Sequence, residues 1–110
     1  MLTFYVPSTM PSGEEYKTTF QFHFDVADHF GIKAVKDIFK KAFEDWKSDI
    51  EYITELCIVM NTRCWFWHKE GNTELSELYA EFFYQVKNYV YSKKSKFTEE
   101  DRSYFFEMTD

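Results

Sequence analysis

Glycine and proline are scarce in this chain: Gly13, Gly31 and Gly71 are the only glycines, and Pro7 and Pro11 the only prolines. A turn-rich all-β fold needs a breaker roughly every 8 to 12 residues, so the sequence reads instead as long uninterrupted segments. Because the three glycines are isolated from one another, the Gly-rich loops that cradle phosphates and dinucleotides are also missing. Long apolar runs are absent too, and no window approaches the roughly 18 apolar residues of a membrane span. The N-terminus carries no basic stretch followed by an apolar run, so a cytoplasmic location is expected. Positive charge is in short supply: 13 Lys and Arg face 19 Asp and Glu, and the net charge of -6 weighs against general nucleic-acid binding. Two cysteines are too few for a disulfide framework.

Aromatic residues are plentiful. Phe, Tyr and Trp make up 22% of the 110 residues, within a composition that is 45% apolar and 29% charged, which suits a single globular domain. Tyr16, Phe20, Phe24 and Ala27 share one helical face, with Gly31 as a stop. A rival reading pairs a strand over Phe20, Phe22, Phe24 and Val26, alternating with Gln21, His23 and Asp25, with a strand at Leu2 to Val6. Helical spacing prevails in the expectation because an isolated two-stranded hairpin is marginal. Val35, Ile38, Phe39, Ala42 and Trp46 mark a second helix from about Lys33 to Lys47. Asp49 can cap a third, with Ile50, Ile53, Leu56, Cys57, Met60, Cys64 and Trp67 on its face and an end before Gly71. Asn72 or Thr73 can cap a fourth, striped by Leu75, Leu78, Tyr79, Phe82, Val86, Tyr89 and Val90. Beyond the Lys93-Lys94-Ser95-Lys96 connector, Thr98 and Asp101 form a capping box for a short helix bearing Tyr104 and Phe105.

The expected fold is therefore all-α: a compact bundle of four main helices plus a short C-terminal helix. Residues 14 to 110 form the single helical domain and residues 1 to 13 an extended N-terminal arm; an α+β fold with a small N-terminal hairpin is the alternative. The third helix stands apart because Ile58, Val59, Trp65 and Phe66 lie off its main face, which makes it either the central helix or one covered by a partner.

Val35-Lys36-Asp37, Phe39, Ala42-Phe43, Trp46-Lys47, Asp49, Tyr52, Thr54-Glu55-Leu56, Val59, Asn61 and Trp65 resemble a group of small uncharacterised proteins of Bacteroides-type bacteria and their mobile elements. Thr19-Phe20, Ala27-Asp28, Phe30-Gly31, Tyr104-Phe105-Phe106-Glu107 and Thr109-Asp110 are similar to that group as well, so the likeness covers about residues 19 to 110. What it implies is a bacterial, cytoplasmic origin and helix over residues 19 to 30. It brings no activity and no catalytic residue.

Chemistry-bearing residues do not converge along the chain. Cys57, Cys64 and His68 lie along one helical strip, but only Cys64 and His68, at i and i+4, have the spacing of a metal pair, and a further ligand would have to come from His23 or His29. Buried reduced thiols are the expectation, with no metal and no cofactor. Glu14-Glu15, Glu44-Asp45 and Glu99-Glu100 are sequence neighbours that diverge by about 100° on a helix, unlike carboxylates sharing a proton. An enzyme is not expected.

Two surfaces remain as candidate sites. Tyr84 and Tyr91 lie opposite the core stripe of the fourth helix, two turns apart, near Phe83 and within possible reach of Phe66 on the third helix, as a protein-recognition surface would require. Lys33, Lys36, Lys40 and Lys47 form a basic stripe that could meet an anionic partner, although Asp37, Glu44 and Asp45 share its helix. The expected function is a non-enzymatic protein-interaction module whose partner is another protein or a second copy of the chain. Its rival is an acidic accessory factor of a mobile element, acting on nucleic acid or on a nucleic-acid enzyme.

Overall fold

The structure, a computed structural model, describes the backbone of residues 13 to 109 and the side chains of residues 21 to 109. Five α-helices run in order among the described residues: α1 Gly13–Phe30, α2 Ile32–Trp46, α3 Ile50–Lys69, α4 Thr73–Tyr91 and α5 Glu99–Thr109, with a 3₁₀ turn Lys93–Ser95 before α5. The expected bundle of four main helices and a short C-terminal one is observed. The arm expected over residues 1 to 13 and its strand Leu2 to Val6 lie outside the described residues apart from Gly13, the first residue of α1, and the side chains of Tyr16 and Phe20 lie outside them too.

Phe22 and Phe24 show why residues 20 to 26 are helical. In a strand the two would share a face, whereas in a helix they diverge by about 200°. Phe24 is fully buried and Phe22 is 63% exposed. The corner into α2 is a single residue, Gly31, whose N–H bonds Ala27 O at 3.2 Å and whose carbonyl accepts from Val35 N at 3.2 Å. Its φ of 104° and ψ of -176° lie in a region that is essentially reserved for glycine. Asp49 Oδ1 caps α3 by accepting from Glu51 N at 3.0 Å and Tyr52 N at 3.2 Å. At the far end of α3, Gly71 N bonds His68 O at 3.2 Å and Asn72 N bonds Trp67 O at 3.0 Å, a Schellman pair made possible by φ 80° at Gly71. Asn72 then caps α4 through Leu75 N at 3.1 Å, so α3 and α4 turn back on each other within three residues.

α3 is the central helix. It packs against α1, α2, α4 and α5, and its pairing with α4 is the broadest in the molecule. Ile53, Leu56, Cys57, Val59 and Met60 are all fully buried, while Trp65 and Phe66 near its end are exposed. The apolar second half of α3 is thus divided: Val59 is core, Ile58 is half-buried, and the two large rings face outward. Aromatic rings lock the layer beneath: Phe39 of α2 stacks on Phe82 of α4 at 4.0 Å, and Phe43 meets Tyr89 edge-on at 5.3 Å. Beyond α4, Ser95 Oγ donates to Val90 O and Ser92 O, both at 2.9 Å, and Arg102 donates to Val90 O at 3.1 Å and Ser92 O at 2.9 Å. Arg102 thereby satisfies the open carbonyl end of α4 from the first turn of α5. The capping box forms as expected, with Asp101 N on Thr98 Oγ1 at 3.1 Å and Thr98 N on Asp101 Oδ2 at 3.3 Å. No helix among the described residues is long and apolar enough to cross a membrane.

Two substitutions check this architecture by urea unfolding. Leu56→Ala should cost about 2 to 5 kcal/mol, because a fully buried side chain on the central helix leaves a cavity. Gly31→Ala should cost about 1 to 3 kcal/mol although an added Cβ would meet nothing within 4 Å, since the penalty is one of backbone angle and not of space.

Candidate functional site

A charged residue in the buried half of α3 sets the internal geometry. Arg63 follows Val59 and Met60 by one turn and precedes Trp67 by another, so its guanidinium emerges on the core strip. There it meets Asp28 of α1, whose Oδ2 accepts from Arg63 Nη2 and from Trp67 Nε1, the latter at 3.0 Å. Asp28 Oδ1 accepts from Tyr79 OH of α4 at 2.5 Å, and Arg63 Nε donates back to that hydroxyl at 3.3 Å. Arg63 Nη1 pairs outward with Asp25 at 2.7 Å. Burial opposes charge on the guanidinium, but the hydrogen bond and charge of Asp28, together with Tyr79, outweigh it and hold the Arg63 pKa above the ordinary arginine value. Burial also pushes the Tyr79 hydroxyl well above the usual tyrosine range, and its bond to the Asp28 carboxylate adds to that shift. Both oxygens of Asp28 are engaged, so the cluster ties three helices together.

The cysteines and His68 separate in space according to their surroundings. Cys57 is buried with Sγ 3.9 Å from Phe83 O, Cys64 Sγ lies 3.7 Å from Ser76 Oγ, and His68 is exposed, edge-on to Trp65 at 5.7 Å. Among the described residues no group of three or more His, Cys, Asp or Glu could hold a metal ion.

The candidate recognition residues fall into two places. Tyr84 is 60% exposed, with its ring edge-on to half-buried Phe83 at 5.3 Å and the Lys87 ammonium 5.3 Å from the Phe83 ring. Tyr91 is 43% exposed and leans edge-on against Phe105 of α5 at 5.8 Å. Phe66 belongs elsewhere. Cys57 meets Phe83 and Cys64 meets Ser76, so α3 and α4 run antiparallel and Phe66 lies opposite the start of α4. That is roughly 13 Å along the axis from Phe83 at 1.5 Å per residue. In the basic stripe, Lys33 pairs with Asp37 at 3.1 Å and Lys47 with Glu44 at 3.2 Å, while Lys36 and Lys40 are exposed with no ion pair among the described residues.

No protein-family model, curated protein or solved structure matches this chain.

The side formed by α4 and α5 contains more than the sequence reading assigned to it. Phe106, 55% exposed, shares a shallow depression of about 410 Å³ with Tyr91, Glu99, Arg102, Ser103 and Glu107. Glu99 and Phe106 stand at i and i+7 on α5, a spacing visible in the sequence; their meeting with Tyr91 required the turn through Lys93–Ser95. Arg63 was also legible in principle, since a lone cation flanked by Val59, Met60 and Trp67 on an apolar strip demands a buried carboxylate.

Removing Asp28 should be far costlier than removing Asp25. Asp28→Ala leaves a buried guanidinium unpaired and should cost about 3 to 5 kcal/mol, whereas Asp25→Ala, at a side chain 64% exposed, should cost at most about 1 kcal/mol by urea unfolding. A raised tyrosine pKa supports the fold below the unfolded value of 10.0 and withdraws that support as pH climbs above it. Stability should therefore fall above about pH 10, and less steeply in Tyr79→Phe, as read by denaturant midpoints from neutral to alkaline pH.

Proposed function

We propose that this chain is a non-enzymatic protein-interaction module whose partner docks on the side made by α4 and α5, in a bacterial cytoplasm. One observation carries the reading: Tyr84, Tyr91 and Phe106 hold large ring surfaces in solvent on adjoining helices, two of them around a depression of about 410 Å³. Rigid aromatic side chains give much contact area for little lost entropy, and a set of them on one side is the anchor pattern of interfaces. Their setting is acidic, with Glu77, Glu81, Glu99 and Glu107 exposed on the same two helices, which disfavours a phosphate backbone as the occupant. The accessory-factor reading keeps only Lys36 and Lys40 of the basic stripe, since Lys33 and Lys47 are already paired with nearby acids.

A photo-crosslinking residue placed singly at position 84, 106 or 36, in cells that make the protein, tests the surface. Discrete protein adducts are expected from positions 84 and 106 and not from position 36 on α2. Equal labelling at all three positions, or none at 84 and 106, would show that the partner side has been misassigned.

A further inference from the structure

Resting on that reading, we infer that the occupant of the α4–α5 face is a basic amphipathic helix of a partner protein, its apolar residues against Tyr84, Tyr91 and Phe106 and its cations against the flanking glutamates. The geometry of α4 supplies the length. Glu77, Tyr84 and Tyr91 recur every seven residues, so they lie along one edge of the helix over roughly 21 Å, which is four turns of a docked helix. Glu81 sits beside that edge, one turn from both Glu77 and Tyr84. Glu74, Glu77 and Glu81 are exposed and form no ion pair among the described residues, and the same holds for Glu99 and Glu107 beside Phe106. Lys87, one turn from both Tyr84 and Tyr91, is the single cation of α4 against its three glutamates, and Arg102 of α5 does not cancel the acids beside it. Its donors reach the Val90 and Ser92 carbonyls, and its charge complements the negative end of the α4 dipole.

Electrostatics also decide against a symmetric second copy. A two-fold dimer through this face would set glutamate against glutamate. A partner carrying leucine-like and lysine-like residues on adjoining faces supplies cations for the unpaired glutamates and apolar surface for the rings.

The full-length protein can be titrated with three labelled peptides of about 18 residues: an amphipathic Leu/Lys helix, the same helix with Glu for Lys, and a Leu/Lys scramble without an apolar face. Anisotropy should show the amphipathic Leu/Lys peptide binding at least about tenfold more tightly than either control. Tyr84→Ala and the double variant Glu77→Lys/Glu81→Lys should each weaken it about tenfold with helicity unchanged, and Glu44→Lys/Asp45→Lys on α2 less than about twofold. Equal binding of the three peptides, or an equal loss from the α2 and α4 charge changes, would overturn the inference. If that happens while crosslinks from position 84 persist, the interaction module stands and only its basic partner falls; if the crosslinks are missing too, both fall.

Discussion

A buried carboxylate that gathers three donors from two other helices fixes how α1, α3 and α4 meet. Asp28 reaches Arg63 and Trp67 on α3 and Tyr79 on α4, so one side chain of α1 sets the distance and rotation of both helices against it. Apolar packing alone tolerates sliding, because the hydrophobic term is nearly direction-free. A charged, multiply bonded centre does not, since each displaced donor would be left unpaired in a medium that cannot replace water. The cost of burying the pair is offset by its completeness. Arg63 spends Nε on Tyr79, Nη2 on Asp28 and Nη1 on Asp25, and the last of these leads the charge out to solvent.

With α1 held there, the aromatic surplus divides in a way that composition could not show. Phe24, Phe39, Phe43, Tyr79 and Phe82 are buried, and edge-on and stacked pairs connect them across α1, α2 and α4, while buried Phe105 of α5 meets Tyr91. A chain with so few glycines and no internal proline makes long helices, and long helices crossing in a small bundle leave wide gaps that rings fill better than aliphatic side chains. Much of the aromatic content is thus structural. What is left outside falls in three places, with Phe22 and Phe30 on α1, Trp65 and Phe66 at the end of α3, and Tyr84, Tyr91, Tyr104 and Phe106 on α4 and α5.

The sequence made the helices legible and their meeting points less so. Caps at Asp49, Asn72 and Thr98, and the stops at Gly31 and Gly71, are local signals whose hydrogen bonds close within a few residues, and all of them form. The core stripe of α4 was equally plain, because Leu75, Leu78, Tyr79, Phe82, Val86 and Val90 answer a single period and are buried, with Tyr89 half-buried beside them. The grouping of Phe66 with Phe83 failed to materialise for the opposite reason. It depended on the antiparallel register of α3 and α4, which Cys57, Cys64 and Ser76 set through contacts remote in sequence. Asp28 was hidden in the same manner: on α1 alone it looks like any polar residue beside a face of Phe24 and Ala27, and only Arg63, 35 residues away, gives it a purpose.

Charge is distributed to the same plan. On and just beyond α2, Lys33, Lys41 and Lys47 pair with acids at i+4 or i−3, while Lys36 and Lys40 are exposed with no ion pair among the described residues. On α4 and α5 the acids have no such answer among the described residues, apart from Asp101 in its capping box. Exposed glutamates of one sign repel one another and lower stability slightly, while exposed rings gain nothing from water. Neither feature helps the isolated bundle, and the two coincide on the side where Arg102 and Ser95 fasten α5 across the end of α4. A cation approaching that side relieves the repulsion as its apolar stem covers the rings, so a single basic helix would relieve both costs in one contact.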